Sequence, residues 1–148
     1  MANATFNRGL AYLADYDWAG DAINVGVMLV ENTYTFARTH NTVADVVADE
    51  ASGAGYVRKA VASAQRTTNE DDTGSAANLR ITDGTVAWSS ISAGTLLEVI
   101  LFFVTGTGLA DNTNNLLGHV DTGTNIPINT NGGDVTLNFS TDGAVKMA

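Results

Sequence analysis

A chain of 148 residues, 45% hydrophobic and 16% charged, is long enough to enclose one core and too apolar to stay unfolded. Its formal net charge is −9, and its seven Lys and Arg are scattered (only Arg58 and Lys59 adjoin), which excludes the basic stripe that phosphate neutralisation requires; no direct nucleic-acid contact is expected. The lack of cysteine excludes a disulfide framework, a thiolate metal site and a thiol nucleophile.

The opening residues, Met1 to Arg8, carry no basic region followed by an apolar one, so no secretory signal is expected. Phe6, Leu10 and Leu13 recur at helical spacing and predict a short amphipathic helix in an N-terminal segment, 1–20, that caps the home core or docks on a neighbouring subunit. The domain proper is expected to cover 21–148. Ile23 to Val30 alternates as a strand, with Ile23, Val25, Val27 and Leu29 facing the core. Asn24 and Gly26 leave its other face thin. Tyr34-Thr35-Phe36 reads as a short β-like piece. Asn41 or Thr42 is placed to cap a short helix over Val43 to Glu50, ended by the glycines of Ser52-Gly53-Ala54-Gly55.

Tyr56 to Ala62 alternates as a strand, and the polar stretch Gln65 to Ser75 reads as an exposed loop. Its Glu70-Asp71-Asp72 triplet lacks the ligand order of a calcium-binding EF-hand, and no metal or other cofactor is expected. Strand signals then recur at short intervals: Asn78 to Ile81, the Asp83-Gly84 turn, and Val86 to Trp88.

The longest apolar run is Leu96 to Val104, interrupted only by Glu98. It is too short for a membrane helix, which needs about 20 residues, so no membrane span is expected there. Bounded by Gly94 and Thr105-Gly106-Thr107-Gly108, it reads as a strand buried on both faces. Leu97, Val99, Leu101 and Phe103 would line one face, and Leu96, Ile100, Phe102 and Val104 the other. The second set is expected under Phe6, Leu10 and Leu13 or at a subunit contact, so Phe6, Leu10, Leu13 and Phe102 are the candidate interface residues.

Leu116 to Val120 is the next strand, followed by Asn125 to Ile128 with Pro127 suited to an edge. The turn Asn131-Gly132-Gly133-Asp134 precedes Val135 to Phe139, and Asp142-Gly143 precedes Ala144 to Met147. Many short strands with Gly, Asn and Asp turns predict an all-β, single-domain antiparallel sandwich, jelly-roll-like, with one or two short helices near the N-terminal half.

The inventory for catalysis is poor, and no catalytic residue is assigned. His40 and His119 sit in no metal-ligand pattern. Ser90, His119 and Asp121 make a triad only by selection, with no G-x-S-x-G context, and His119 reads as a sheet residue. Glu98 is the one acid inside an apolar strand, expected to pair with an arginine such as Arg58 or Arg80. Gly106 to Gly108 lacks the lysine of a phosphate loop. Trp18 and Trp88 are expected in the core, the alternative being a face that stacks on a sugar.

The ordered set Ile23 to Val30, Tyr34-Thr35, His40, Asp45-Val46, Glu50 to Tyr56, Val86 to Trp88, the long apolar strand, Leu116 to Val120 and Asn131 to Val135 resembles a family of small virion structural proteins of tailed bacteriophages, similar to capsid decoration (cement) proteins. The resemblance runs from about Phe6 to Val145 and is most specific at Glu50 to Tyr56. It departs at Gln65 to Ser75, which is longer and more acidic, and at Ile91 to Leu97, which is more apolar. The resemblance implies a non-enzymatic protein made in the host bacterial cytoplasm and carried on the virion capsid surface. Its partners would be the major capsid protein and copies of itself, a trimer before a dimer. The alternative is a head-fibre or tail-associated module that recognises host-surface glycan.

Overall fold

The computed structural model describes residues 4–9, 11, 24–71, 76–82, 84–92, 96–123, 125–139 and 145–147. Leu10, Leu13, Trp18 and the 20/21 boundary lie outside them. The protein is a mostly β single domain, 40% strand and 12% helical.

The apolar run forms the central strand of a five-stranded antiparallel sheet. In chain order its members are β1 (Ala4–Thr5), β2 (Val25–Glu31), β3 (Lys59–Val61), β7 (Leu97–Phe103) and β8 (Asn115–Val120), arranged β1-β8-β7-β2-β3. Between β3 and β7 the chain builds β4 (Arg66–Asp71), β5 (Ala76–Ile81) and β6 (Ala87–Trp88). After β8 come β9 (Val135–Thr136) and β10 (Val145–Met147). The second layer is divided into a three-stranded sheet, β10-β5-β4, and a two-stranded one, β6-β9.

β7 is buried on both sides, with the predicted alternation. Leu97, Val99, Leu101 and Phe103 join Val25, Val27 and Leu29 in a core closed by the second layer, including Leu79, Trp88, Ile128 and Leu137. Ile100 and Phe102 join Met28, Val30 and Leu116 in a second core, covered by Phe6, Tyr34, Val43 and Val46. Val104 packs against it, whereas Leu96 precedes the strand and is 39% exposed. β8 serves both cores because its pairing with β7 shifts between Leu101 and Phe102: Leu101 opposes Gly118, Phe102 opposes Leu116, and Leu117 is the extra residue that turns to the first core.

The thin start of β2 has a steric purpose. Gly26 lies directly across from Phe102, and a Cβ on Gly26 would fall 2.2 Å from the tip of that ring. The ring occupies the space a side chain would take.

Several segments differ from their sequence reading. Tyr34 to Phe36 is irregular rather than β, because its backbone turns through the Tyr34 N–H to the Glu31 carbonyl while both rings pack inward. The helix expected over 43–50 is two 3-10 turns, Val43–Asp45 and Val47–Asp49. Buried Val43 and Val46 stand three residues apart, the 3-10 repeat, and β-branched valines gain little from an α-helix. Thr42 precedes the first turn as expected, but the capping oxygen is that of Asp45, which accepts from the Asn41 and Thr42 N–H groups. The strand expected over 56–62 is confined to Lys59–Val61, because Tyr56 turns its hydroxyl inward. Gln65 to Ser75 is no simple loop: Arg66–Asp71 pairs with Ala76–Ile81 as a hairpin, helped by the β-branched Thr67 and Thr68, with 72–75 outside the described residues. Ile126 and Ile128 make single bridges rather than a strand, with Pro127 exposed beside them. Beyond β9, Leu137 and Phe139 still alternate into the core.

Gly26→Ala is expected to cost about 1–3 kcal/mol by overpacking against Phe102. Adding Phe102→Leu should recover part of it; urea midpoints at constant m-value measure both.

Candidate functional site

The densest polar construction on the surface joins the 50–58 segment to the 105–114 loop. Glu50 is fixed by its bridge to Val30 at the end of β2. Gly55, at φ +81, turns the chain so that Tyr56 points back inside. The Tyr56 hydroxyl accepts from the Leu29 N–H at 3.1 Å and donates to Glu50 Oε1 at 2.8 Å. Arg58 closes a bidentate pair on the same carboxylate, Nε to Oε1 at 2.7 Å and Nη2 to Oε2 at 2.6 Å. It also reaches across, donating to the Leu109 carbonyl at 2.9 Å and Asn112 Oδ1 at 3.0 Å. The Arg58 and Glu50 side chains are 10% and 15% exposed. Hydrogen bonds to Glu50 raise the Arg58 pKa, and burial pushes the Tyr56 phenol far above its usual range.

Beneath this network Trp88 stacks on Tyr56 at 6.4 Å and donates its indole N–H to the Val57 carbonyl at 2.7 Å. With Tyr56 and Arg58 drawn inward, Val57 is displayed outward and is 59% exposed. A shallow depression of about 490 Å³ results, lined by Val57, Leu109 and Ala110 with Glu50, Tyr56, Arg58 and Asn112. Because Glu50 already neutralises the guanidinium, this surface offers apolar contact and neutral hydrogen-bonding groups rather than a charge.

Its far wall is held by Asp111, which accepts from the hydroxyl and N–H of both Thr113 and Thr107. These bonds, the Thr113 hydroxyl foremost, hold its pKa well below the usual carboxylate range. Buried Asn114 completes the loop, accepting from the Gly106 N–H and donating to the Gly108 carbonyl.

A second, smaller depression of about 290 Å³ lies by β9, lined by Asn125, Pro127, Ile128, Asn129, Asp134, Val135 and Thr136. Asp134 there accepts from the Ser90 N–H at 2.9 Å.

The sequence candidates fall mostly inside the fold. Phe6 and Phe102 are both fully buried in the second core, so neither presents side-chain surface to a neighbour; their role is to cover the sheet within one chain. Glu98 pairs with His119, not with Arg58 or Arg80: Nε2 and Oε2 are 2.7 Å apart, because the two residues lie diagonally across β7 and β8 on one face. The His119 side chain is 2% exposed, with Phe36 stacked on it at 5.7 Å and Tyr34 edge-on at 5.3 Å. The paper triad is therefore not assembled, since His119 is engaged in the second core while exposed Ser90 is tied to Asp134. Trp88 is in the core as expected. Among the described residues no group of three or more His, Asp or Glu is placed to hold a metal ion, and no helix is long and apolar enough to cross a membrane. The Arg58–Glu50–Tyr56 junction was not legible in advance, although an acid and an arginine flanking Gly53 and Gly55 were its signal. No protein-family model, characterised protein or solved structure matches the chain.

Removing one partner of the junction leaves a largely buried charge uncompensated. Arg58→Ala should cost about 3–5 kcal/mol, and Tyr56→Phe about 0.5–1.5 kcal/mol, in urea unfolding.

The pH dependence has two arms. Burial pushes the Tyr34 phenol up to about 12, so its contribution is complete below its usual value of 10.0 and is lost as pH rises toward 12. Asp111 and Asp45 are depressed, the latter by the Thr42 and Asn41 N–H groups, so theirs is complete above the usual carboxylate range and is lost as pH falls below it. Melting temperatures should fall at both extremes, and Tyr34→Phe should flatten the alkaline arm alone.

Proposed function

We propose that this chain is a non-enzymatic virion structural protein that decorates a phage capsid and stabilises it by binding the major capsid protein. The observation that carries the reading is the outward presentation of Val57 beside Leu109 and Ala110, on a rim immobilised by the Arg58–Glu50 pair and backed by Trp88. A rigid, charge-neutral apolar patch can form a permanent contact at low entropic cost, because its side chains are ordered before association. The surrounding stretch, Glu50 to Tyr56, is also where the resemblance to the decoration family is most specific. On this reading the protein is made in the host bacterial cytoplasm, acts at the capsid surface, and self-associates as a trimer about a local symmetry axis.

A second reading, a head-fibre or tail-associated glycan module, draws on the smaller depression, whose Asn125, Asn129, Asp134 and Thr136 could bond sugar hydroxyls over Pro127 and Val135. It lacks the aromatic platform of the usual sugar site, since Trp88 is buried.

Purified protein is expected to bind expanded, undecorated heads at stoichiometric copy number and raise their resistance to heat. Val57→Asp should weaken that binding about tenfold or more while leaving the melting temperature nearly unchanged. Failure to bind any head form overturns the reading, and hits on a glycan array would favour the second.

A further inference from the structure

Residues 4–9 run as a strap along the open edge of β8. Ala4 and Thr5 pair with His119 and Gly118, and the Phe6 N–H donates to the Leu117 carbonyl at 3.1 Å. Gly9 lies so close that a Cβ there would stand 2.5 Å from the Leu117 carbonyl oxygen. From outside, the 34–40 loop clips the strap down: Arg38 Nη1 donates to the Thr5 carbonyl at 3.3 Å, and the Asn7 N–H donates to the Arg38 carbonyl at 3.2 Å. The Phe6 ring fills the second core and meets Phe36 at 4.8 Å.

Phe36 is the link to a titratable pair. Its other neighbour is the His119 imidazole, with the rings only 9° from parallel, and His119 in turn holds Glu98. A continuous path of contacts therefore runs from Glu98 through His119 and Phe36 to Phe6. The other ionisable groups around it are Tyr34, edge-on to His119, and His40, whose Nδ1 is 2.9 Å from the Tyr34 hydroxyl. Arg38 lies in the same loop, Asp45 and Asp49 in the 3-10 turns act on Tyr34, and Asp121 is buried two residues beyond His119.

We propose that the His119–Glu98 pair is a pH-sensitive latch for the N-terminal strap: while Glu98 is ionised the imidazole stays seated under Phe36 and the strap is closed, and once Glu98 is neutralised the enclosed imidazolium drives it open. The logic is that of a buried charge. With Glu98 ionised, the imidazole has a hydrogen-bond partner whether neutral or charged. When Glu98 takes up a proton, an imidazolium remains in an apolar core with no counter-charge, and admitting water by lifting Phe36 and Phe6 relieves it. Opening would bare the edge of β8 and the space Phe6 leaves beside Phe102. The latch is a property of the single chain and holds independently of any shell.

Amide hydrogen exchange, corrected for the intrinsic pH dependence, tests it on the full chain. In the native protein, protection at Phe6 and Asn7 should be flat from pH 8 to 5 and fall below that, before the β2–β7 ladder loses its own. Glu98→Gln keeps a hydrogen-bonding partner for a neutral imidazole but supplies no charge. In this variant strap protection should drop about tenfold or more between pH 8 and 5, the range in which imidazoles ordinarily titrate. His119→Gln should leave strap protection equal at pH 8 and 5. If Glu98→Gln does not fold, Phe36→Leu, which cuts the path between imidazole and strap, should abolish the early acid loss at Phe6 and Asn7. The latch is overturned if strap protection in Glu98→Gln is as flat as in the native chain, if the strap and the β2–β7 ladder lose protection together in the native protein, or if Phe36→Leu leaves the early loss intact.

Discussion

A seven-residue strand that carries Leu97, Val99, Leu101 and Phe103 on one side and Ile100 and Phe102 on the other has no solvent face, so the chain must furnish two separate covers. Each such side chain, fully buried, contributes about 1.5–3 kcal/mol, so an uncovered face would forfeit several kcal/mol. The first cover is a second layer of sheet. The second is assembled from irregular pieces: the strap bearing Phe6, the loop bearing Tyr34 and Phe36, and the two 3-10 turns bearing Val43 and Val46. These pieces lack a ladder of their own and are held by side chains and single backbone bonds. That explains why Arg38, Asp45 and Tyr34 all make specific contacts there.

The same constraint accounts for the two features of the second face that are not apolar. Gly26 is small because Phe102 must lie flat across β2. Glu98 and His119 are polar on a face that otherwise excludes water, an arrangement that gains little net stability over apolar replacements. A diagonal His–Glu contact does discriminate register: slipping β8 by one residue would send His119 into the first core and leave Glu98 without its partner. The bulge at Leu117 makes such a slip a real alternative for this strand, since it already breaks the regular pairing of β7 with β8.

Strands that bury a face were legible because alternation records which residues face a core. The two-sided pattern of Leu97 to Phe103, the core face of β2 and the alternation of Leu137 and Phe139 follow from it directly. Segments whose structure depends on a distant partner were not legible. Arg66 to Asp71 is too polar to announce a strand, and it becomes one because Ala76 to Ile81 folds back on it. Glu98 was readable as a residue in need of a partner, but the choice of His119 over an arginine depends on the β7–β8 register. The surface at Val57 was hidden for a related reason. Its exposure is a consequence of where Tyr56 and Arg58 turn, and those turns are set by Leu29, Glu50 and Leu109, up to 51 residues away.

The distribution of charge bears on how such a surface could meet another protein. Of the seven Lys and Arg, Arg58 is locked on Glu50, Arg66 is 3% exposed and Arg38 is directed onto the Thr5 carbonyl. The cations left to face solvent are therefore fewer than the composition implies, whereas Asp45 and Asp111 carry their negative charges on the outside. The long-range field is more acidic than a uniform spread of net charge −9 would make it, and it repels other acidic surfaces beyond contact range. Salt at physiological strength confines that repulsion to about 8 Å, so it governs approach more than the final contact. The depression beside Val57 is the place where this repulsion is weakest, because its one guanidinium and one carboxylate cancel at 2.6 Å. An acidic protein that must settle permanently against a neighbour needs such a neutral, rigid landing area, and the Arg58–Glu50 pair creates it by removing both charges at once.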